Sequence, residues 1–224
     1  MYKDQKITVV VPCLNEETGI QRVLDALPAF VDEAIVVDND STDRTADVAR
    51  ERGAVVIREL NRGYGRAYKK GFARATGDII VTLDGDHSYP VDALSYLLEA
   101  FLHSGVHFLS ASRLPLLDPD SMGWKNLMGN RILSLVMSFL YLRWIQDSQS
   151  GMWVFRRDAL DKMRLTHDGM AFSEEIKIEA IRNSEIGFRE IFINYSQRAG
   201  ETKLEMWRDG FRNLAFLFRK RIAP

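Results

Sequence analysis

The chain has 224 residues, of which 46% are hydrophobic and 27% are charged, a globular composition that excludes a disordered or low-complexity chain. Its length favours one domain, or one domain with a small appendage. Thirty Lys and Arg against 31 Asp and Glu leave a net charge of -1, so no basic excess indicates nucleic-acid binding. The single cysteine, Cys13, excludes an intrachain disulfide and a cysteine-cluster metal site. Residues 1–6 lack the apolar core of a signal peptide, so we expect a cytoplasmic enzyme or binding module.

The first half of the chain alternates between two hydrophobic periods. Short β-branched runs predict buried strands at residues 7–11, 35–37, 55–57 and 79–83. Helical patterns lie between and after them, at residues 18–30, 44–52, 66–75 and 90–104. Ser41 or Thr42 is the expected N-cap of the second helix, and Gly53 is expected to follow its last turn. This alternation predicts an α/β fold, a mostly parallel doubly wound sheet with helices on both faces.

The second half contains a long apolar stretch. Residues 132–142 are interrupted by polar side chains only at Ser134 and Ser138. Eleven helical residues span about 16 Å against roughly 30 Å of hydrocarbon, so this segment is too short to cross a bilayer. Arg131 and Arg143 flank it, which suits a helix lying at a membrane interface, and a buried core helix is the alternative.

The carboxyl-terminal segment, residues 205–224, has the pattern of a basic amphipathic helix. Its apolar side chains fall at helical spacing, at Trp207, Phe211, Leu214, Ala215 and Phe218. Its cations are assigned to the polar side, at Arg208, Arg212, Arg219, Lys220 and Arg221. Such a helix can lie on an anionic membrane, or it can pack on the protein with a solvated cationic face.

Polar side chains follow three of the predicted strands. Glu16 comes after the first strand, Asn39 after the second, and Asp84 and Asp86 after the fourth. Because ligands of doubly wound sheets bind beyond the carboxyl ends of the strands, we expect these side chains to converge. Two neighbouring carboxylates can hold a hard divalent ion that takes its remaining ligands from phosphates, although such a pair is also common in turns.

Taken in order, the motifs resemble the family 2 glycosyltransferases of GT-A fold. The family motifs are VVVPCLNEE at residues 9–17, VVDNDSTD at 36–43 and LDGD at 83–86. Four more look like the branch of dolichyl-phosphate mannose and polyprenyl-phosphate hexose synthases: GYGRA at 63–67, SR at 112–113, DSQSG at 147–151 and RAGETKL at 198–204. The resemblance implies a GT-A domain over residues 1–204, with residues 205–224 as a separate helix. It also implies an inverting hexosyltransferase that uses a nucleotide-sugar donor and Mg²⁺ or Mn²⁺.

The resemblance assigns roles residue by residue. Donor-binding roles fall on Pro12, Leu14, Glu16, Val37, Asp38, Asn39, Asp84, Gly85 and Asp86. Asp84 and Asp86 would hold the metal, with Ser88 as a further ligand. Phosphate or acceptor contacts fall on Arg113, Arg131, Arg198 and Lys203, and Asp86 and Arg113 would take part in catalysis.

This chain departs from many relatives at three positions. Asn39 stands where relatives often have Asp, and since an amide both donates and accepts, the nucleotide base stays open. Ser88 stands where relatives often have Gln, which weakens its assignment as a ligand. Ser173 lies near a position where mannose synthases often have Lys. The Glu174 and Glu175 that follow it could act as a base, orient the acceptor or belong to a helix start capped near Ser173.

The acceptor is open between two chemistries. A polyprenyl or dolichyl phosphate is already largely ionised, with a second pKa of about 6, and needs cations rather than a base. A hydroxyl of a polysaccharide or glycolipid needs proton removal, for which Glu174, Glu175 or Asp147 are candidates. The cations around the apolar helix favour the lipid phosphate, at the cytoplasmic face of a membrane and with a membrane protein as a candidate partner. A non-catalytic nucleotide-sugar-binding subunit and a nucleotidyltransferase are the alternatives of other classes.

Overall fold

The computed structural model describes residues 1–196 and 206–222, without the side chains of residues 206 and 207. The strands in this part of the chain are β1 (Ile7–Cys13), β2 (Glu33–Asp38), β3 (Val55–Arg58), β4 (Ile79–Thr82), β5 (Phe108–Ser112), β6 (Trp153–Arg156) and β7 (Arg189–Phe192). The α-helices are α1 (Glu17–Ala26), α2 (Thr45–Glu51), α3 (Tyr64–Arg74), α4 (Leu94–Ser104), α5 (Trp124–Tyr141), α6 (Phe172–Arg182) and α7 (Met206–Ile222). Short 3-10 helices lie at Val91–Ala93, Pro119–Ser121 and Arg157–Lys162.

The strands form one sheet in the order β3-β2-β1-β4-β6-β5-β7. All neighbouring strands are parallel except β6, which runs antiparallel to both β4 and β5. The strand order reverses at β1, which has β2 on one side and β4 on the other. This is the switch point at which a doubly wound sheet opens a crevice for a ligand. The prediction of a mostly parallel α/β sheet is confirmed.

The apolar runs of the sheet are explained by burial on both faces. Val9 and Val11 of β1 point into one core layer, and Val10 between them points into the other. All three side chains are fully buried. A strand covered by helices on both sides needs a continuous apolar run rather than an alternating one, and that is what β1 and β4 have.

The capping prediction for the second helix is half right. Helix α2 begins at Thr45 with Arg44 in the N-cap position, so neither Ser41 nor Thr42 caps it. The Asp43 carboxylate instead accepts a hydrogen bond from the Thr45 backbone N–H at 3.0 Å. Gly53 follows the end of α2 with a φ of 78°, as predicted.

Helices α5 and α7 form a third core with α6. Leu133 and Met137 of α5 and Leu217 of α7 are buried in it. The buried side of α7 is not the predicted one, because Phe211 is 66% exposed. Lys220, assigned from the sequence to the solvated side, is buried instead. Its Nζ lies 2.8 Å from a Glu179 oxygen, and this ion pair compensates the burial of the charge.

Candidate active site

A cleft of about 290 Å³ opens beyond the carboxyl ends of β1, β2 and β4. It brings together most of the residues predicted from the strand ends, namely Pro12, Leu14, Glu16, Asn39, Asp84, Gly85 and Asp86. Val37 and Asp38 lie just beneath it and are buried, and the Asp38 carboxylate accepts a hydrogen bond from the Ser41 backbone N–H. The parallel β1, β2 and β4 therefore assemble the cleft from loops far apart in the chain.

Asp86 is held in place by the residue expected to share its ligand role. Its Oδ1 accepts hydrogen bonds from the Ser88 backbone N–H at 3.0 Å and from the Ser88 hydroxyl at 2.6 Å. His87 between them has a φ of 60°, which turns the chain back so that both bonds form. Ser88 thus orients the Asp86 carboxylate.

Asp84 is held by two tyrosines of α3. The hydroxyls of Tyr64 and Tyr68 lie 3.2 and 3.4 Å from its Oδ1 and donate to it. Burial raises the pKa of both tyrosines well above the usual value, so they remain donors. At Gly151, on the same side, a Cβ would lie 2.2 Å from the Tyr64 hydroxyl and 3.3 Å from Asp84 Oδ1, so a larger residue would disturb this contact.

Helix α1 packs directly on the loop that carries both carboxylates. A Cβ at Gly19 would lie 2.3 Å from the Gly85 carbonyl oxygen and 2.9 Å from the Asp86 Cα. A Cβ at Gly85 would in turn lie 2.5 Å from the Sγ of the buried Cys13. The loop is therefore confined on both sides by close packing.

The donor set suits a cation that takes only one or two ligands from protein. Asp84 and Asp86 both line the cleft. Among the residues that the structure describes, no group of three or more His, Cys, Asp or Glu side chains could hold a metal ion. Mg²⁺ sites in phosphoryl-transfer enzymes have this character, since water and substrate phosphates complete the coordination. Two carboxylates in a cleft fit such an ion.

Asn39 fixes the loop that precedes α3 through three hydrogen bonds. Its Nδ2 donates to the carbonyl oxygens of Glu59 and Asn61 at 3.0 and 2.9 Å, and its Oδ1 accepts from the Gly63 N–H at 2.8 Å. An aspartate could not make the two donor contacts. The amide at this position is therefore explained by the 59–63 loop, with no need for a contact to a nucleotide base.

Arg113 is largely committed to a buried ion pair. Its Nε and one terminal nitrogen donate to Asp147 at 2.7 and 2.9 Å, and its backbone N–H donates at 3.0 Å. Burial opposes the charge of Asp147, but the attraction and hydrogen bonds of Arg113 outweigh it and hold the pKa of Asp147 well below its usual range. A carboxyl so strongly ionised is a poor general base, which removes Asp147 from the predicted bases.

The two carboxylates of α6 lie outside the cleft. Helix α6 begins at Phe172 with Ala171 at the N-cap position, so Ser173 does not cap it, contrary to the expectation. Glu175 accepts hydrogen bonds from Thr166 and from the His167 N–H, which fixes the preceding loop.

Glu174 is buried in a different environment. Its Oε1 accepts a hydrogen bond from Gln149 Nε2 at 2.7 Å, whereas Oε2 has no hydrogen-bond partner among the described residues. Burial raises the pKa of Glu174 to about 8. Lys177, one turn further along α6, donates to the carbonyl oxygens of Asp147 and Ser148. Glu174 and Lys177 thus support the segment that leads into β6.

The other predicted cations are dispersed. Arg131 is exposed in the middle of α5, away from the helix ends. Arg198 and Lys203 lie outside the described residues. The sequence reasoning did not assign Tyr64 and Tyr68 to the site, although their spacing of four residues places both on one face of a helix, which was the available signal.

Helix α5, for which the sequence left a core helix and an interfacial helix as alternatives, has two different faces. One face is buried, as described above. The other, the outer face of α5, carries large exposed apolar side chains at Trp124, Met128, Ile132, Leu135 and Phe139. Over the described residues, no helix combines the length and apolar character needed to span a bilayer.

Comparison with known proteins places this geometry in a family. The family model "Glycosyl transferase family 2" matches residues 8–164. A low-salt glycan biosynthesis hexosyltransferase of Haloferax volcanii is 34% identical over 218 residues, which cover 94% of this chain and 52% of that protein. This chain thus spans about half the length of that relative. A dolichyl-phosphate hexose transferase of the same organism is 32% identical, with 93% of this chain and 91% of that protein covered.

The fold has a counterpart among solved structures. Glucosyl-3-phosphoglycerate synthase from Mycobacterium tuberculosis, in complex with Mn²⁺, UDP and phosphoglyceric acid, superposes with a TM-score of 0.78. The sequences are 23% identical, and the match covers 98% of this chain and 79% of that chain. The shared architecture is the GT-A fold.

Proposed function

This chain belongs to glycosyltransferase family 2 and has the GT-A fold, and from that premise we propose that it transfers a hexose from a nucleotide diphosphate sugar to a polyprenyl phosphate. In the proposed reaction a phosphate oxygen of the acceptor bonds to the anomeric carbon, and the bond from that carbon to the nucleoside diphosphate breaks with inversion. The observation that carries the proposal is the pair of oriented carboxylates, Asp84 and Asp86, lining the cleft at the switch point.

Donor binding rests on the loops around the cleft. The leaving diphosphate would lie against Asp84 and Asp86 with Mg²⁺ or Mn²⁺, and the ion would supply positive charge that stabilises the leaving group. The task of the protein is to hold both carboxylates still, and the tyrosine hydroxyls on Asp84 and the Ser88 bonds on Asp86 do so. Two of the three guanidinium nitrogens of Arg113 donate to Asp147, so Arg113 would contact a phosphate only through its other terminal nitrogen.

A phosphate acceptor fits the absence of the predicted bases from the cleft. Glu175 is bonded to the 166–167 segment, Asp147 is paired with Arg113, and Glu174 is buried. A phosphate that is already ionised needs no proton removal. Its two requirements are positioning and cations that reduce the repulsion between acceptor and donor phosphates.

The surface next to the cleft suits an anionic membrane. Residues 123–145 and 210–222 contain no Asp or Glu. Their exposed cations include Lys125, Arg131, Arg212 and Arg219. Each Lys or Arg near an anionic leaflet contributes about 1 kcal/mol of attraction, and the outer face of α5 supplies apolar contact. We propose that the enzyme works as a peripheral protein on the cytoplasmic face of a membrane, and that a membrane-protein partner adjoins it there.

The test is transfer of labelled sugar to lipid. Purified protein is incubated with radiolabelled UDP- and GDP-hexoses, Mg²⁺ or Mn²⁺, and farnesyl phosphate. We expect labelled lipid with at least one donor, and a loss of roughly 100-fold or more in Asp86→Asn with an unchanged circular dichroism spectrum. Asp92→Asn is the matched control, since Asp92 is an exposed carboxylate outside the cleft. Near-normal rates in Asp86→Asn, or no labelled lipid with any donor, would contradict the proposal.

A hydroxyl acceptor is the second candidate, because the cleft is lined by two carboxylates besides Asp84 and Asp86, namely Glu16 and Asp209. Of these two, Asp209 lies on α7. If the acceptor is a hydroxyl, Asp209→Asn should lower kcat strongly with little change in the donor KM. A phosphate acceptor predicts that this variant keeps most of its kcat.

A further inference from the structure

Helices α5 and α7 enclose an apolar groove at the protein surface. Its volume is about 200 Å³, and its lining includes Trp124, Met128 and Ile132 of α5 and Phe211 and Leu214 of α7. At about 30 Å³ for a group the size of a water molecule, this volume takes about six or seven carbon atoms of an aliphatic chain, a little more than one five-carbon unit. Exposed aromatic and aliphatic walls of this kind exclude a polar ligand from the groove itself.

Two glycines keep the groove open. Gly129 of α5 and Gly210 of α7 both line it. A Cβ at either position would meet no neighbouring atom within 4 Å. A glycine in the middle of a helix lowers helix stability by about 1 kcal/mol relative to alanine. At positions 129 and 210 the packing does not require a glycine. Larger side chains there would fill the groove without displacing the fold.

The groove and the donor cleft are lined by consecutive residues in the first turns of α7. Asp209 lines the cleft, and its neighbour Gly210 lines the groove. Consecutive Cα atoms are about 3.8 Å apart, so a molecule with its head group at the cleft and a chain attached to it needs only to pass over this turn to enter the groove.

The charge around the groove matches an anionic head group. Lys125 lines the groove. Arg212 of α7 is exposed and lines a second cavity, which shares Tyr64 and Asp209 with the cleft. As noted above, the two segments that form the groove contain no carboxylates from residue 123 to 145 and from 210 to 222. An apolar channel with a cationic rim suits an amphiphile that carries a phosphate on an aliphatic chain.

We propose that this groove binds the isoprene units nearest the phosphate of the acceptor lipid. The inference rests on the proposed function, and it adds a chain-length selectivity that the donor cleft alone cannot produce. Each methylene group that the groove removes from water improves affinity by about fourfold. The acceptor KM should therefore fall as isoprene units are added, until the groove is filled.

The experiment compares dimethylallyl, geranyl and farnesyl phosphates as acceptors, in dilute solution without vesicles. For the wild type we expect the acceptor KM to fall by at least about tenfold over the series. Gly129→Leu and Gly210→Leu should make the KM values of the three acceptors nearly equal, without changing the donor KM. Asn126→Leu is the matched control, because it adds the same side chain on an exposed position of α5 outside the groove, and it should behave as the wild type.

A second measurement is independent of turnover. Farnesyl phosphate with a photoreactive group on its last isoprene unit should label peptides from residues 124–133 or 210–214, and Gly210→Leu should suppress the labelling. Wild-type KM values that do not depend on chain length, or filled variants that keep the full dependence, overturn the inference. The inference is also overturned if Gly129→Leu or Gly210→Leu keeps the dependence of KM on chain length but no longer binds vesicles or no longer dimerises. In that case a bilayer lipid or a second copy of the chain would occupy the groove. Donor binding without transfer to any of the three phosphates refutes the proposed function, and the labelling result then decides the groove separately.

Discussion

Replacing Gly19 with alanine should disable the enzyme without unfolding it. The added Cβ would lie 2.3 Å from the Gly85 carbonyl oxygen, where ordinary contact starts near 3.4 Å, and 2.9 Å from the Asp86 Cα. These atoms belong to backbone, and Cys13 closes off the other side of the loop. The loop that carries Asp84 and Asp86 must therefore move by about 1 Å, and a displacement of that size costs roughly 100-fold in rate.

The expected effect of Gly19→Ala on stability is smaller than its effect on activity, and the two can be measured separately. Overpacking costs about 1–3 kcal/mol, and the higher helix propensity of alanine returns about 0.5–1 kcal/mol. In a chain of this length each kcal/mol corresponds to about 2–4 °C in Tm, so the melting temperature should fall by only a few degrees. Initial rates with labelled donor and thermal unfolding are measured side by side for Gly19→Ala and for Gly123→Ala. Gly123 has no neighbour within 4 Å of a Cβ and a φ of -56°, so its variant should match the wild type. Equal rates for the two variants would refute the reasoning.

Three further outcomes follow from buried charge and exposed apolar surface. Asp147→Asn should lower the free energy of unfolding, measured by urea denaturation, by about 3–5 kcal/mol, because it leaves the charge of a buried arginine unpaired. The wild type should lose stability below about pH 4. The pKa of Asp147 is lower in the folded protein than in the unfolded chain, so protons bind the unfolded chain more tightly. Burial raises the pKa of Glu174 to about 8, whereas its ordinary value is 4.5. Between these two pH values the folded protein keeps a proton that the unfolded chain releases, so the stability of the fold should decrease as the pH rises from 4.5 to 8. Glu174→Gln should remove that slope and be more stable than the wild type at pH 8. Glu175→Gln should be less stable than the wild type, because it disrupts the hydrogen bonds that Glu175 accepts from the Thr166 and His167 N–H groups. Phe139→Glu, at a side chain 79% exposed, should keep the fold and lose binding to anionic vesicles, whereas Met137→Glu, at a fully buried position, should unfold the protein.

Each of these outcomes has a clear opposite. An Asp147→Asn variant as stable as the wild type would mean that the pair with arginine contributes nothing. A Glu174→Gln variant with the wild-type pH slope would assign that slope to other groups. Unimpaired vesicle binding by Phe139→Glu would separate the outer face of α5 from any membrane contact.

The sheet and the cleft could be predicted because both follow from local patterns. A strand buried on both faces needs an apolar run, and residues directly after parallel strands must meet at one edge. These two rules place Glu16, Asn39, Asp84 and Asp86 together from the sequence alone. The antiparallel β6 was not predicted, since its four residues carry no periodicity that reveals direction.

The remaining errors concern tertiary contacts between distant segments. Lys220 looked like part of a solvated face because helical periodicity does not show that Glu179 is packed opposite. Ser173 with two following glutamates looked like a helix cap. The bonds from Glu175 to Thr166 and His167 show that the first turn of α6 is instead anchored through its buried side. In both cases the partner lies in another element, and spacing along the chain carries no information about it.

The reversed direction of β6 has a mechanical consequence. Because β6 runs against its neighbours, the chain enters it at the ligand edge, and the segment from Asp147 to Gly151 joins α5 to the carboxylate loop. Asn130 of α5 donates to Asp147 at 2.7 Å, and Gly151 adjoins Asp84. The outward-facing helix α5 and the carboxylate loop are therefore connected through five residues, 147–151. We expect a displacement of α5 to be transmitted through this segment to Asp84.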